Sequence, residues 1–184
     1  MNQIETLYNR IYELEVFKKG NFTLSSGKKS NYYLDGRIIS LDPLGSEIIG
    51  KIFLSKLSFS VDKVGGPATA ALPLISAISL SAKIHQNKHI PGFYIRQSAK
   101  EHGLENKIEG SIKKGDDVVI VDDTVTSGGS IINTILEIQK LGANIKLSLS
   151  VFDRNEGGVE KINQLGIEHY SIFKYDLGSE NLIY

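Results

Sequence analysis

The chain has no cysteine, which excludes disulfides, thiolate metal sites and cysteine nucleophiles. Neither charge sign is in excess, with Lys+Arg 21 against Asp+Glu 21, so there is no global electrostatic case for nucleic acid or a membrane surface. Long apolar runs are also missing. The most apolar segment, Ala68 to Ala82, is too short and too rich in serine to span a bilayer. Met1-Asn2-Gln3-Ile4-Glu5 shows no basic stretch leading into an apolar one, so no secretory signal is read and a cytoplasmic protein is expected. There is no repeat, low-complexity tract or linker, which leaves a single domain over residues 1–184. A chain of this size buries about 70% of its unfolded surface.

What is present centres on Val118-Val119-Ile120-Val121-Asp122-Asp123-Thr124-Val125-Thr126-Ser127-Gly128-Gly129-Ser130. The apolar run reads as a strand buried on both faces, as in a parallel sheet. Ionised carboxylates cannot remain unpaired in such a layer, so Asp122 and Asp123 are expected to emerge at the C-terminal end, where open α/β sheets bind ligands. The hydroxyl- and glycine-rich turn then opens a helix, an arrangement suited to anions. Acids for sugar hydroxyls beside a phosphate cradle suggest a phosphorylated ribose. The turn lacks the spacing and lysine of a Walker A loop and the spacing of GxGxxG. The blander alternative is a strand end whose acids cap a turn.

Leu7, Ile11 and Leu14 follow helical spacing, and Lys18-Lys19-Gly20 predicts a helix end near Lys19. Phe22-Thr23-Leu24 and Tyr32-Tyr33-Leu34-Asp35 read as a hairpin around Ser25 to Ser30. Asp42-Pro43 predicts a helix start, with Leu44, Ile48, Ile52 and Phe53 as its apolar stripe. Further elements follow: a weak strand at 61–64 ending at Gly65-Gly66, a helix from Pro67 to Lys83, and a strand within 89–96. The strongest strand covers 117–121, then a helix 130–141, a strand 145–152, a helix 159–165 and a strand 167–173. This alternation predicts an α/β fold with a mostly parallel central sheet flanked by helices. Residues 1–40 form a small helix and hairpin hood on it.

Four other segments carry chemistry. Tyr94 to Gly103 holds Arg96, Lys100 and His102 in a short polar stretch, readable as a lid over a polyanion or as a solvated loop. Phe22 to Asp35 reads as a hairpin with a polar tip. Arg154, in Phe152-Asp153-Arg154-Asn155-Glu156-Gly157-Gly158, stands at a strand's C-terminal end, where a guanidinium can take a carboxylate bidentately or pair with Asp153. Val64-Gly65-Gly66-Pro67-Ala68-Thr69-Ala70-Ala71 suits either a pyrophosphate turn or close helix–strand packing. His85, His89 and His169 fit no metal spacing and read as structural or surface residues.

Together these motifs, in this order, resemble the type I phosphoribosyltransferases, and the orotate phosphoribosyltransferases among them. Val118 to Ser130 is similar to the 5-phosphoribosyl-1-pyrophosphate (PRPP) motif, Arg96-x-x-x-Lys100-x-His102-Gly103 to the catalytic loop, and Phe22 to Tyr33 to the FTLxSGxxSxYY signature. The resemblance implies that Asp122 and Asp123 hold the ribose, and that Thr124, Val125, Thr126, Ser127, Gly128, Gly129 and Ser130 surround the 5-phosphate. It implies that Arg96, Lys100 and His102 contact pyrophosphate from a neighbouring subunit of a homodimer. It assigns orotate to Thr126, Arg154, Tyr33 and Leu34. Mg²⁺ is expected to enter mainly on PRPP, without dedicated protein ligands. Lysines found in some members are absent at Ser25, Ala70 and Gln97. The implied reaction makes orotidine 5′-monophosphate and pyrophosphate in pyrimidine biosynthesis. The rivals are transfer to another nucleobase and a PRPP-binding regulator without catalysis.

Overall fold

The computed structural model describes residues 2–23, 29–96 and 107–184. Helix α1 (Gln3–Glu13) is capped by the Asn2 side chain, which accepts from the Ile4 amide at 3.2 Å, and buries Leu7 and Ile11. It stops well short of Lys19. Glu15 takes φ 54°, and Lys18, Lys19 and Gly20 join strand β1 (Phe17–Thr23). The cause is tertiary: Val16 and Phe17 are buried, and β1 pairs antiparallel with β2 (Lys29–Leu34). That burial outweighs a sequence that resembles a helix end.

A six-residue helix, α2 (Gly36–Leu41), follows and was not foreseen; Asp35 caps it. Helix α3 (Pro43–Ser55) starts where Asp42-Pro43 predicts. The Asp42 carboxylate accepts from the Gly45 amide at 2.9 Å and from Arg10 Nη2 at 2.7 Å. Ile48, Ile52 and Phe53 face the core, but Leu44 is exposed, so the buried stripe begins one turn late.

The remaining elements are β3 (Lys63–Pro67), α4 (Ala71–Gln86), β4 (Gly92–Ile95), β5 (Ile108–Glu109), β6 (Asp117–Val125), α5 (Gly129–Lys140), β7 (Asn144–Asp153), α6 (Gly158–Gln164), β8 (His169–Asp176) and β9 (Asn181–Ile183). They build a seven-stranded sheet in the order β5-β4-β3-β6-β7-β8-β9. The five inner strands are parallel, and the short outer strands β5 and β9 are antiparallel to their neighbours.

Two boundaries move toward the ligand end of the sheet. β3 does not break at Gly65-Gly66. Both glycines sit within it, Gly65 under the Phe93 ring and Gly66 against the Val121 carbonyl and the Ala71 methyl. Pro67 therefore ends a strand instead of starting a helix, and the Ala68 amide still bonds the Ile95 carbonyl at 2.8 Å. β6 runs four residues past Val121 because β7 keeps pairing with it, Asp122 with Ser150 and Thr124 with Phe152. Val118 to Val121 are fully buried. Val119 and Val121 cluster with Phe53, Leu74 and Ile78 on one side. Val118 and Ile120 cluster with Ile131, Ile135, Ile138 and Ile162 on the other. At about 1.5–3 kcal/mol per buried large aliphatic side chain, this double burial fixes the central strand and everything at its end.

Candidate active site

A cleft of about 950 Å³ opens at the C-terminal ends of the parallel strands. It gathers Asp122, Asp123, Thr124, Thr126 and Ser130 from the β6 end, Arg96 from the end of β4, Arg154 from the end of β7, and Tyr33 and Leu34 from the hairpin. A smaller recess of about 160 Å³ adjoins it, lined by Val125, Ser127, Gly128 and Gly129 as well. Every expected site residue among the described ones therefore borders one connected region. Lys100 and His102, with Gln97 and Ser25, lie outside the described residues.

The recess is shaped by backbone. Gly128 takes φ 79° and begins α5 with no side-chain cap, so the first-turn amides, which have no intrahelical partner, face an anion-sized space. The first residue of α6 closes the far side. A Cβ on Gly158 would lie 2.5 Å from the Thr126 carbonyl oxygen and 2.7 Å from the Gly128 nitrogen, so only glycine permits the two helix starts to meet.

The acids depart from expectation in one respect. Asp122 does not leave the buried layer; it stays in the β6–β7 ladder, 5% exposed. Among the described residues its partner is not a cation but the Asp123 amide, which donates to its Oδ1 at 2.9 Å. Burial first, and then the Asp123 charge, push the Asp122 carboxyl well above the usual carboxylate range. Asp123 is also raised, mainly by burial. Next to them the Thr124 hydroxyl is buried with no hydrogen-bond partner among the described residues, a costly state at the edge of a cleft that a polar ligand can enter.

On the opposite wall Arg154 is fixed at three points. Its amide donates to the Val125 carbonyl at 2.9 Å, its Nε donates to the Tyr32 hydroxyl at 2.9 Å, and its guanidinium lies 4.7 Å from the Tyr32 ring centre. Among the described residues its side-chain polar contacts, including Glu156 at 3.3 Å, run through Nε. Tyr32 itself stacks on Tyr175 with ring centres 4.0 Å apart. Arg96, which lines the cleft, pairs with Glu109 at 3.3 Å, and its amide donates to the Lys107 carbonyl at 2.8 Å.

Sequence reasoning missed Tyr32, Asp35, Gly36 and Arg37. Period-two alternation along β2 separates buried Tyr32 from half-exposed Tyr33, and Asp35-Gly36 is a recognisable cap and turn pair. The turn at Ala68, Thr69 and Ala70 does line the cleft, while Gly65 and Gly66 serve packing. His169 is structural: it sits among the Ser148, Ser150 and Ser171 hydroxyls at 2.7–3.0 Å, and burial lowers its pKa to about 4. Among the described residues no group of three or more His, Asp or Glu side chains is arranged to hold a metal.

Residues 42–168 match the phosphoribosyl transferase domain family. The orotate phosphoribosyltransferase of Pyrococcus horikoshii is 37% identical over 175 residues, 94% of this chain and 91% of its own length. That of Rhodopirellula baltica is 36% identical over 165 residues, 86% of this chain and 85% of its own. The crystal structure of Mycobacterium tuberculosis H37Rv orotate phosphoribosyltransferase in complex with PRPP superimposes with a TM-score of 0.78 at 27% identity, covering 94% of this chain and 96% of the other. The fold is thus that of a type I phosphoribosyltransferase. With its sequence aligned over nearly its full length to such enzymes, the chain belongs to the orotate phosphoribosyltransferase family.

Proposed function

We propose that this chain transfers ribose 5-phosphate from PRPP to orotate, releasing pyrophosphate and giving orotidine 5′-monophosphate, a step of pyrimidine biosynthesis. One observation carries the reading: a single cleft joins an acid pair, an uncapped helix start and an arginine held beside a hairpin. Those are three different recognition problems, and PRPP with orotate presents all three.

The reaction breaks the bond between the anomeric carbon and a pyrophosphate oxygen. Positive charge develops on the ribose ring and negative charge on the leaving group. Asp122 and Asp123 accept from the ribose hydroxyls, and a hydroxyl brought there also gives the Thr124 side chain a partner. Thr126 through Ser130 take the 5-phosphate on backbone amides and hydroxyls. Arg154, with Thr126, Tyr33 and Leu34, orients orotate so that its ring nitrogen faces the anomeric carbon, a gain from positioning. Arg96, Lys100 and His102 stabilise the departing pyrophosphate. Mg²⁺ would enter on the pyrophosphate, and when bound it neutralises leaving-group charge.

We further propose a homodimer in which 97–106 serves the neighbouring site. Support comes from Arg96, the residue before that segment, which lines the cleft, and from exposed Leu80 and Ile84 on α4 and Leu41 on α2, an apolar set that a partner would cover. No described helix is long and apolar enough to cross a membrane; the proposed reaction is that of a cytoplasmic enzyme acting on small molecules.

Following orotate absorbance with PRPP and Mg²⁺ tests the reaction. Loss of orotate with release of pyrophosphate is expected; equal rates with uracil would move the assignment to another base, and PRPP binding without turnover would favour the regulator. Mixing Lys100→Ala with Asp123→Asn protein is expected to restore part of the activity through one intact mixed site. No recovery after verified subunit exchange would rule out shared sites.

A further inference from the structure

Helix α2 lines the cleft, and the reaction as set out above gives it nothing to do. Its first turn is nevertheless built against the acids. Gly36 is buried, and a Cβ there would lie 2.8 Å from Asp123 Oδ2, 3.0 Å from Asp123 Cβ and 3.0 Å from Thr124 Oγ1. No side chain larger than hydrogen fits without moving the Asp123 carboxylate. Either side of this contact stand two opposite charges locked to each other. Arg37 Nε donates to Asp35 Oδ1 at 2.8 Å and Nη2 to Asp35 Oδ2 at 2.7 Å. The Arg37 amide also donates to Asp35 Oδ1 at 3.1 Å, and the Tyr33 hydroxyl donates to Oδ2 at 3.3 Å. Four donors thus converge on one carboxylate, holding the Asp35 side chain and, through it, the guanidinium.

We propose that the first turn of α2 is a positioning element for Asp123: Gly36 sets how closely the helix approaches its carboxylate, and Arg37, fixed by Asp35, keeps positive charge beside it. The proposal deepens the assignment of Asp123 to the ribose hydroxyls and rests on it. The local charges point the same way. After burial, which raises the Asp123 pKa, and the Thr124 backbone hydrogen bond, which lowers it, come Asp35, which raises it, then Asp122 and last Arg37, which lower it. Without Arg37, Asp35 would face Asp123 as an unbalanced like charge at the mouth of the cleft. Arg37 is largely exposed, and an ion pair so placed contributes little to folding. Its removal therefore leaves the fold intact and reports on Asp123.

The test measures the PRPP dissociation constant by calorimetry, together with KM for both substrates, in Gly36→Ala, Arg37→Gln, Arg37→Lys, Asp123→Asn and the Arg37→Gln/Asp123→Asn double variant. Gly36→Ala and Arg37→Gln are each expected to weaken PRPP binding about fivefold, with KM for orotate little changed and Arg37→Lys recovering most of the loss. In the Asp123→Asn background Arg37→Gln is expected to add nothing, because its effect runs through that carboxylate. Equal losses from Arg37→Gln in both backgrounds, or no loss in either, would overturn the proposal. If Asp123→Asn alone binds PRPP as tightly as the wild type, the ribose assignment fails first and the inference falls with it. Should Gly36→Ala not unfold cooperatively, the Arg37 cycle decides alone.

Discussion

Asp122 to Ser130 form one unbroken stretch that runs off the central strand into the first turn of α5, whereas Arg154, to which we assign the base, is held against Tyr32, 122 residues earlier. The corner we assign to sugar and phosphate is shaped by backbone: amides at a helix start, a left-handed glycine, and a second helix pressed against the loop through Gly158. The corner we assign to the base is an assembly of side chains, with a guanidinium resting on a tyrosine that rests on another tyrosine. The first is robust to most side-chain changes and intolerant of added volume. The second should fail by degrees, as each contact is removed.

The largest separation of the two corners is expected from Arg154→Leu. Losing charge-assisted hydrogen bonds should lower kcat/KM for orotate about a hundredfold, while calorimetry finds the PRPP dissociation constant unchanged. A parallel loss of PRPP affinity would break the comparison. Gly158→Ala attacks the other side. Its methyl must displace the Thr126 carbonyl or the Gly128 nitrogen, and overpacking of that order should raise KM for PRPP about tenfold, with orotate little affected. Tyr32→Phe keeps the stack on Tyr175 and removes only the hydroxyl that accepts from Arg154 Nε. A rise of about fivefold in KM for orotate is expected, and a value equal to that of Arg154→Leu would mean that the tyrosine does more than orient.

The smallest effect concerns stability and has the opposite sign to function. The folded-state pKa of Asp122 lies above its unfolded value. The wild type therefore has its full stability below the unfolded pKa and loses part of it as pH rises through the folded pKa. Asp122→Asn removes that loss. Thermal unfolding at pH 8 should show a Tm higher by about 2–4 °C, with the gain vanishing in acid and PRPP binding impaired throughout. A Tm gain that persists at low pH would show that burial of charge is not its cause.

The contiguity of the sugar–phosphate corner is also why it could be read in the sequence. A buried run, two acids and a glycine turn are local facts, and local facts survive folding. The errors lie where a local signal met a stronger distant one. Lys18-Lys19-Gly20 looks like a helix end, but pairing with β2 makes it strand. Gly65-Gly66 looks like a break, but the Phe93 ring and the Val121 carbonyl need that space. Helix α2 has six residues, too few to show a period, and so the wall of the cleft nearest Asp123 stayed invisible. Alternation along β2 could have told buried Tyr32 from Tyr33, but nothing local says that the buried one meets an arginine 122 residues later, at the end of β7.

The Tyr32–Arg154 contact also imposes an order of events. The strands and helices around β6 close short loops and can assemble early, whereas a contact spanning most of the chain carries the larger closure entropy and comes late. On the proposed assignments, a chain with its sheet formed and its hairpin undocked has a phosphate cradle and no base pocket. Competence for orotate therefore reports that the two ends of the polypeptide have met, and in refolding it should appear after competence for PRPP.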